Sequence, residues 1–268
     1  MTRPSWVTEG IDLNRPSASR VYDFYLGGFH NFSSDREMAE RAIADWPDLP
    51  LIMRSNRAFL RRSVTYLVEQ GVRQFLDMGS GIPTVGNVHE IAQELAPDAR
   101  IVYVDIDPVA VAHSQAILAD NPNATVLDGD FRRPAEILAD PAVTGLLDLD
   151  QPVALLLFAL LHFVGDDDNP ADVIATFRDG LAPGSYLALS HATHELHPPE
   201  QTEFHRDLYR KTATPMTMRS RAQVEALFDG FKVAEPGIVL SDHWQPDAGD
   251  LAENAERHPM WVGVGQKP

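Results

Sequence analysis

Cysteine is absent from all 268 residues, and this excludes several kinds of site at once. Disulfides, thiolate metal centres, iron–sulfur clusters and cysteine nucleophiles all need that side chain. Long apolar runs are absent as well, since the longest, residues 153–161, has the length of a strand, whereas a membrane helix needs about 20 residues. The first residues lack the basic and then apolar layout of a signal peptide. We therefore expect a soluble, cytoplasmic protein.

Basic residues are scarce, with 22 Lys and Arg against 39 Asp and Glu, which gives a formal net charge of −17. Residues 1–80 carry as many basic as acidic side chains, so the whole excess lies in residues 81–268. A surface this acidic repels phosphate backbones, and we expect neither nucleic acid nor a membrane as a partner. The 44% hydrophobic content is ordinary for a folded domain and excludes disorder and collagen-like repeats.

The pattern of apolar residues divides the chain into three parts. Residues 1–16 hold two prolines and little periodicity, which is typical of a flexible arm. Apolar residues at helical spacing then predict an N-terminal helical cap or lid over 17–71, with a capping box formed by Ser34 and Glu37. From 72 to 268 strand–turn–helix units alternate, which indicates one domain with a parallel sheet.

Seven strands are predicted, and the last two differ from the others. Short apolar runs mark the first five at residues 74–78, 100–104, 124–127, 153–158 and 185–190. The late strands at 231–234 and 260–264 are separated by a long polar loop and predict an antiparallel hairpin. The predicted fold is therefore a Rossmann-like α/β fold, with a mostly parallel seven-stranded sheet, helices on both faces and a C-terminal hairpin.

A glycine turn, Gly79-Ser80-Gly81, separates the first predicted strand from a helix predicted over 84–95. Glycines let the backbone pass close beneath a nucleoside or amino-acid group, and the helix offers free N–H groups. Asp105 lies 24 positions after Gly81 at the end of the second strand, where a carboxylate can accept both hydroxyls of a ribose. Asp107 instead suits the N-cap of the following helix.

The third strand is followed by Asp130 and Phe131, an acid and a hydrophobe that can bond an adenine amino group and flank its ring. Asp-Gly-Asp is also ordinary turn chemistry. Two cofactors compete for the whole pattern. The NAD fingerprint needs a small residue where Thr84 stands after Pro83, and it needs neither an acid after the third strand nor a late hairpin. The sequence therefore favours S-adenosylmethionine over NAD.

This order of motifs resembles the class I S-adenosylmethionine-dependent methyltransferases. More narrowly, the chain is similar to a bacterial family, common in actinomycetes, of S-adenosyl methyltransferases whose acceptors are unassigned. The marks of that family are residues 19–28 with Asn31, Phe32 and Asp35; Asn56, Arg57 and Phe59; and residues 79–87. The resemblance covers roughly residues 17–265 and implies the fold and the cofactor, but no substrate.

The N-terminal block supplies two candidate cofactor contacts. Tyr22 lies in a segment that commonly lids the cofactor in class I enzymes, and the guanidinium of Arg57 suits bidentate pairing with a carboxylate. The alternative is that Tyr22 belongs to the core and that Arg20 and Asp23 form a local ion pair. The predicted cofactor site comprises Tyr22, Arg57, Gly79, Ser80, Gly81, Asp105, Ile106, Asp130, Phe131 and Phe158.

His162 follows the fourth strand, where the methyl acceptor sits in this fold, and it is similar to the strand-end base of some small-molecule O-methyltransferases. The alternative is a packed histidine bonded to a loop carboxylate. His191, His194 and His197 do not share one helix face, so we predict no metal site.

The predicted activity is O- or N-methylation of a small-molecule acceptor by S-adenosylmethionine. The alternative is a catalytically silent S-adenosylmethionine-binding sensor or partner protein. No oligomeric state is predicted.

Overall fold

The computed structural model describes residues 12–83, 86–210, 212, 215–246 and 255–268. Within these ranges, the helices before the sheet are α1 (Ala18–Tyr25), α2 (Ser33–Asp45) and α3 (Leu49–Glu69). The strands are β1 (Gln74–Met78), β2 (Arg100–Asp105), β3 (Ala124–Asp128), β4 (Ala154–Phe158), β5 (Tyr186–Ala192), β6 (Lys232–Val233), β7 (Val239–Leu240) and β8 (Met260–Gln266). The other helices are α4 (Val88–Leu95), α5 (Pro108–Leu118), α6 (Pro134–Ala139), α7 (Pro141–Thr144), α8 (Pro170–Gly180), α9 (Pro199–Tyr209) and α10 (Arg221–Ala226).

The start of α2 differs from the predicted capping box. The helix begins at Ser33, so Asp35 stands in its first turn, and its carboxylate accepts a hydrogen bond from the backbone N–H of Phe32 at 2.8 Å. The hydroxyl of Ser34 points away from the helix and donates to the carbonyl of Leu13. The predicted box at Ser34 and Glu37 is therefore wrong, because the buried carboxylate of Asp35 satisfies the first turn instead.

The sheet has the strand order β3-β2-β1-β4-β5-β8-β6, and β7 also pairs with β8. Strands β1 to β5 run parallel, whereas β8 is antiparallel to β5, β6 and β7. The predicted mostly parallel sheet with a C-terminal hairpin is confirmed. The strand count is eight in the described residues rather than seven, because the two-residue β7 joins β8 beside the hairpin.

Successive residues of β1 enter different cores, as the alternation of a strand requires. Phe75 packs on the face covered by α3 and α4, and Leu76 on the face covered by α8 and α10. Helices α1 and α2 extend the first core, where Val21 and Met38 are buried. The N-terminal cap is therefore packed onto the domain through apolar side chains rather than tethered by a linker alone.

The described residues omit part of two predicted segments, namely 1–11 of the arm and 84–85 at the start of the helix predicted over 84–95. The described part of that helix begins at Val88. None of the helices in the described ranges is long and apolar enough to span a membrane. The loops after β1 to β4 meet at the carboxyl edge of the sheet, which is where ligands bind in open parallel sheets.

Candidate active site

The turn after β1 has the backbone that the glycines predict. Gly79 and Gly81 have φ of +65° and +68°, in the left-handed region that favours glycine. The N–H groups of Gly79 and Ser80 both donate to the carbonyl of Val104, which ties the turn to β2. The hydroxyl of Ser80 is buried and has no hydrogen-bond partner among the described residues. A buried hydroxyl left unsatisfied in a cleft indicates a position for a ligand atom.

Asp105 lies at the end of β2, and its carboxylate fixes the glycine turn through hydrogen bonds. One carboxylate oxygen accepts from the N–H of Gly81 at 2.7 Å and the other from the N–H of Asp107 at 2.8 Å. Burial raises the pKa of Asp105 to about 6, against these hydrogen bonds, which lower it. Each carboxylate oxygen keeps a further lone pair for a ligand hydroxyl. Asp107 caps α5 by accepting from the N–H of Val109, as predicted.

Asp77 is a site residue that the sequence reasoning missed. It lies in β1 and lines a cleft together with Arg57, Ser80 and Gly81. Burial raises the pKa of Asp77 to about 7; nearby Arg57 lowers it and Asp105 raises it. An acidic residue within an otherwise apolar buried strand was the available signal, because such a carboxylate needs a reason to leave water. Arg57 donates to the carbonyl of Gly86 across the cleft.

The predicted adenine contacts are not brought together. The ring of Phe131 is buried in the core and stacks on Phe177 with centroids 5.7 Å apart, so it does not line the cleft. Burying the ring against α8 removes it from water, which favours this orientation. Asp130 pairs with Arg132 at 2.6 Å; burial alone would raise the pKa of Asp130, but these bonds lower it. Ile106 is exposed beside β2.

A second cavity of about 640 Å³ lies between the cap and the carboxyl ends of β4 and β5. Helices α1, α3 and α9, Trp46 directly after α2, and the loop after β4 contribute to its walls. Five aromatic side chains line it, namely Tyr22, Tyr25, Trp46, Phe163 and Tyr209. Concave sites with mainly apolar and aromatic walls are typical of small-molecule binding.

A chain of hydrogen bonds ties α1 and α3 to the ends of β4 and β5 beside this cavity. The hydroxyl of Tyr22 accepts from Asn56, whose side-chain oxygen accepts in turn from Ser190, at 2.8 and 2.6 Å. The Ser190 hydroxyl accepts from the N–H of Ala159, which has a φ of +51° at the end of β4. Burial raises the pKa of Tyr22, and Arg57 and the Asn56 bond lower it. Arg57 lines the cleft and Tyr22 lines the cavity, so the electrostatic effect of Arg57 on Tyr22 shows that the two walls come near one another here.

Phe158, the last predicted cofactor contact, is buried in the first core, where its ring meets that of Phe59 edge-on. It borders neither the cleft nor the cavity.

His162 lines the cavity, as the sequence predicts for a residue near the acceptor. Its Nδ1 accepts from the N–H of Ala192 at 3.4 Å. Burial holds the pKa of His162 well below its usual value, and His191 and Arg219 lower it further. The ring is therefore neutral near pH 7. The loop carboxylate of Asp166 bonds Arg219 instead of His162, at 2.6 Å.

Arg219 is a second residue that the sequence reasoning missed. It is buried and donates to the carbonyls of Leu161 and Val164, on either side of His162, as well as to Asp166. Its guanidinium also meets Nε2 of His191 at 2.8 Å. These contacts hold the loop that carries His162. No local sequence signal links the two segments, because Arg219 lies 58 residues beyond Leu161.

The suggested local pair of Arg20 and Asp23 is wrong. Arg20 pairs with Asp35 at 2.9 Å and approaches Asp107 at 3.5 Å, whereas Asp23 accepts from the N–H of His30 and the amide of Asn31. Arg20 thus connects α1 to α2 and to the start of α5. In the described parts of the chain, no group of three or more His, Asp or Glu side chains is placed to hold a metal ion.

The fold and the glycine turn with its two buried carboxylates define the class I S-adenosylmethionine-dependent methyltransferases. Residues 4–268 match the sequence profile of the S-adenosyl methyltransferase family, and the chain belongs to this family. The predicted class, family and cofactor, S-adenosylmethionine, are confirmed.

Two solved structures from actinomycetes are similar over almost their whole length. One from Thermobifida fusca is 38% identical with a TM-score of 0.91, covering 98% of this chain and 99% of that one. One from Streptomyces avermitilis is 39% identical with a TM-score of 0.92, covering 96% and 99%.

A curated relative, ribosomal RNA small subunit methyltransferase H from Bordetella avium, is 36% identical over 87 residues, which is 32% of this chain and 23% of that protein. The chain spans less than half the length of the curated relatives it matches.

Proposed function

We propose that this protein transfers the methyl group of S-adenosylmethionine to a small molecule bound in the cavity under the cap. The observation that carries the proposal is the proximity of Arg57, which lines the cleft at the glycine turn, to Tyr22, which lines the apolar cavity. A donor site next to an enclosed acceptor site is what a group transfer in water-poor surroundings requires.

The cleft fits a ligand with a ribose and an amino-acid end. Asp105 has lone pairs for ribose hydroxyls, and Arg57 suits a carboxylate. The buried carboxylate of Asp77 suits an ammonium, and the unpartnered hydroxyl of Ser80 suits a further polar atom. An added Cβ at Gly81 would meet no atom within 4 Å, so the backbone there is open to a ligand. The other predicted contacts, Asp130 and Ile106, lie towards solvent at the carboxyl edge of the sheet.

When bound, the cofactor supplies an electrophilic methyl group on a positively charged sulfur. The acceptor atom gives a lone pair to the methyl carbon, the carbon–sulfur bond breaks, and its electron pair stays on sulfur. A hydroxyl acceptor also loses a proton, for which we propose His162 as the base on the cavity wall. The remaining contribution of the protein is to align the two ligands and to exclude water.

Asp105→Ala tests the cofactor assignment, and Asp128→Ala is a matched control at the exposed end of the neighbouring strand. Calorimetry should show that the first variant binds S-adenosylhomocysteine at least tenfold more weakly, since a bonded carboxylate is lost. The control should bind like the wild type. Equal affinity for all three proteins, or a preference for NAD, would contradict the assignment.

Incubation with methyl-labelled S-adenosylmethionine and a metabolite extract tests the activity itself. We expect the label in small molecules, together with stoichiometric S-adenosylhomocysteine. Label in ribosomal or transfer RNA at physiological salt would favour an RNA acceptor, against the net charge of −17. Cofactor binding without transfer of the labelled methyl group to any compound in a bacterial extract would favour the catalytically silent sensor.

A further inference from the structure

The cavity under the cap has uncharged walls. None of the described residues that line it is Asp, Glu, Lys or Arg. Its two histidines are neutral near pH 7, because burial lowers the pKa of His162 and of His205 below the usual value. An ion moved into such a cavity would leave water without meeting a charged side chain in the described lining, which is unfavourable. The walls therefore select an uncharged ligand over a cation or an anion.

The aromatic side chains of the cavity wall favour a ligand with a flat ring system. Tyr22, Trp46 and Phe163 offer ring faces and edges, which pair with aromatic ligands in stacked or edge-on arrangements. Four thioethers complete the lining, from Met53, Met216, Met218 and Met260. Methionine sulfur also makes favourable contacts with aromatic rings and adapts to their outline.

Two polar atoms in the wall, the hydroxyl of Tyr25 and Nε2 of His205, are buried without a hydrogen-bond partner among the described residues. His205 on α9 is 2% exposed, and its Nε2 has no hydrogen-bond partner among the described residues. The carboxylate of Asp45 lies 3.5 Å from this atom without hydrogen-bond geometry, and the ring of Trp46 packs against the imidazole. A buried nitrogen left unsatisfied destabilises the ligand-free protein, and a hydrogen bond from a ligand group would remove that penalty. The hydroxyls of Tyr25 and Tyr209 lie close to one another on the same cavity lining.

The available base also restricts the acceptor. A histidine whose pKa is lowered takes a proton weakly, and the described lining holds no carboxylate. A phenol, with a pKa of about 10, loses its proton far more readily than an aliphatic alcohol. A weak base on the cavity wall therefore matches an aromatic hydroxyl.

We propose that the methyl acceptor is an uncharged, flat aromatic molecule bearing a hydroxyl, and that Nε2 of His205 recognises a second polar group on it. This inference rests on the proposed function. The phenolic oxygen forms the bond to the methyl carbon, the carbon–sulfur bond breaks towards sulfur, and the phenolic proton passes to His162.

The test uses the full chain loaded with S-adenosylhomocysteine and five probes. These are 2-naphthol, 2,7-dihydroxynaphthalene, decahydro-2-naphthol, 2-naphthoate and phenyltrimethylammonium. Affinities are measured by calorimetry, and product formation with S-adenosylmethionine by mass spectrometry. We expect the two naphthols to bind at least tenfold more tightly than the saturated alcohol and the two ions, and the dihydroxy compound to bind about tenfold more tightly than 2-naphthol.

His205→Phe keeps the ring and removes the nitrogen, so it should abolish the preference for the dihydroxy compound and leave 2-naphthol binding unchanged. His205→Gln should restore part of the preference, and His243→Gln, at an exposed position outside the cavity lining, should alter nothing. Tighter binding of the ammonium, the carboxylate or the saturated alcohol would overturn the proposed ligand class. A preference that survives in His205→Phe would overturn the role of His205. Failure to bind S-adenosylhomocysteine at all would instead contradict the proposed function.

Discussion

At the residue scale, the two carboxylates beside the glycine turn determine how stability depends on pH. Burial raises the pKa of Asp77 to about 7 and that of Asp105 to about 6, both above the value of 3.8 for an exposed carboxyl. The native state then holds protons that the unfolded state has released. Their contribution to stability is full below pH about 4 and is lost as the pH rises towards 7.

Asp77→Asn should therefore reduce the pH dependence of the ligand-free protein. We subtract the free energy of unfolding of the wild type from that of the variant. This difference should be larger at pH 8 than at pH 5 by about 1 kcal/mol or more. Urea unfolding at both pH values measures this difference. A difference that is the same at both pH values would show that Asp77 titrates normally.

His162 gives a prediction for catalysis at the same scale. His162→Ala should lower turnover of a hydroxyl acceptor about 10²-fold, the lower end of the range for general base catalysis, and leave cofactor affinity nearly unchanged. Because a base must be unprotonated, wild-type activity should fall as the pH drops through a value below 6.5. The residual activity of the variant should not show this fall. Normal turnover in the variant on a demonstrated hydroxyl substrate would exclude the role.

At the element scale, the loop after β4 depends on a residue from a distant segment. Arg219→Met removes the donors to the carbonyls of Leu161 and Val164; the carbonyl of Leu161 keeps its bond from the N–H of Val164, whereas that of Val164 loses the Arg219 donor. We expect the free energy of unfolding to fall by about 3 kcal/mol and turnover to fall more than cofactor affinity. Arg206→Met, an exposed change on α9, should stay within about 0.5 kcal/mol. Equal effects of both variants, measured by urea unfolding, would remove the role of Arg219 in holding the loop.

The elements themselves could be predicted largely from sequence, and the contacts between them could not. The central strand Ala154–Phe158 is apolar throughout because both its faces are covered, and that pattern is unambiguous. The orientation of Phe131 was not predictable, since a hydrophobe after a strand suits a ligand and a core equally well. Arg219 and His205 reach the site through the packing of late segments onto early ones, which no local spacing encodes.

At the scale of the whole molecule, one connection relates the cap to the cofactor site. Arg20 on α1 bonds Asp35 and approaches Asp107, and the hydroxyl of Ser17 also donates to Asp107. Asp107 in turn donates its N–H to Asp105, the proposed ribose contact. We therefore expect product departure to be coupled to opening of the cap. The enzyme should release S-adenosylhomocysteine slowly, so that the first turnover proceeds in a rapid burst and later ones wait for α1 to detach.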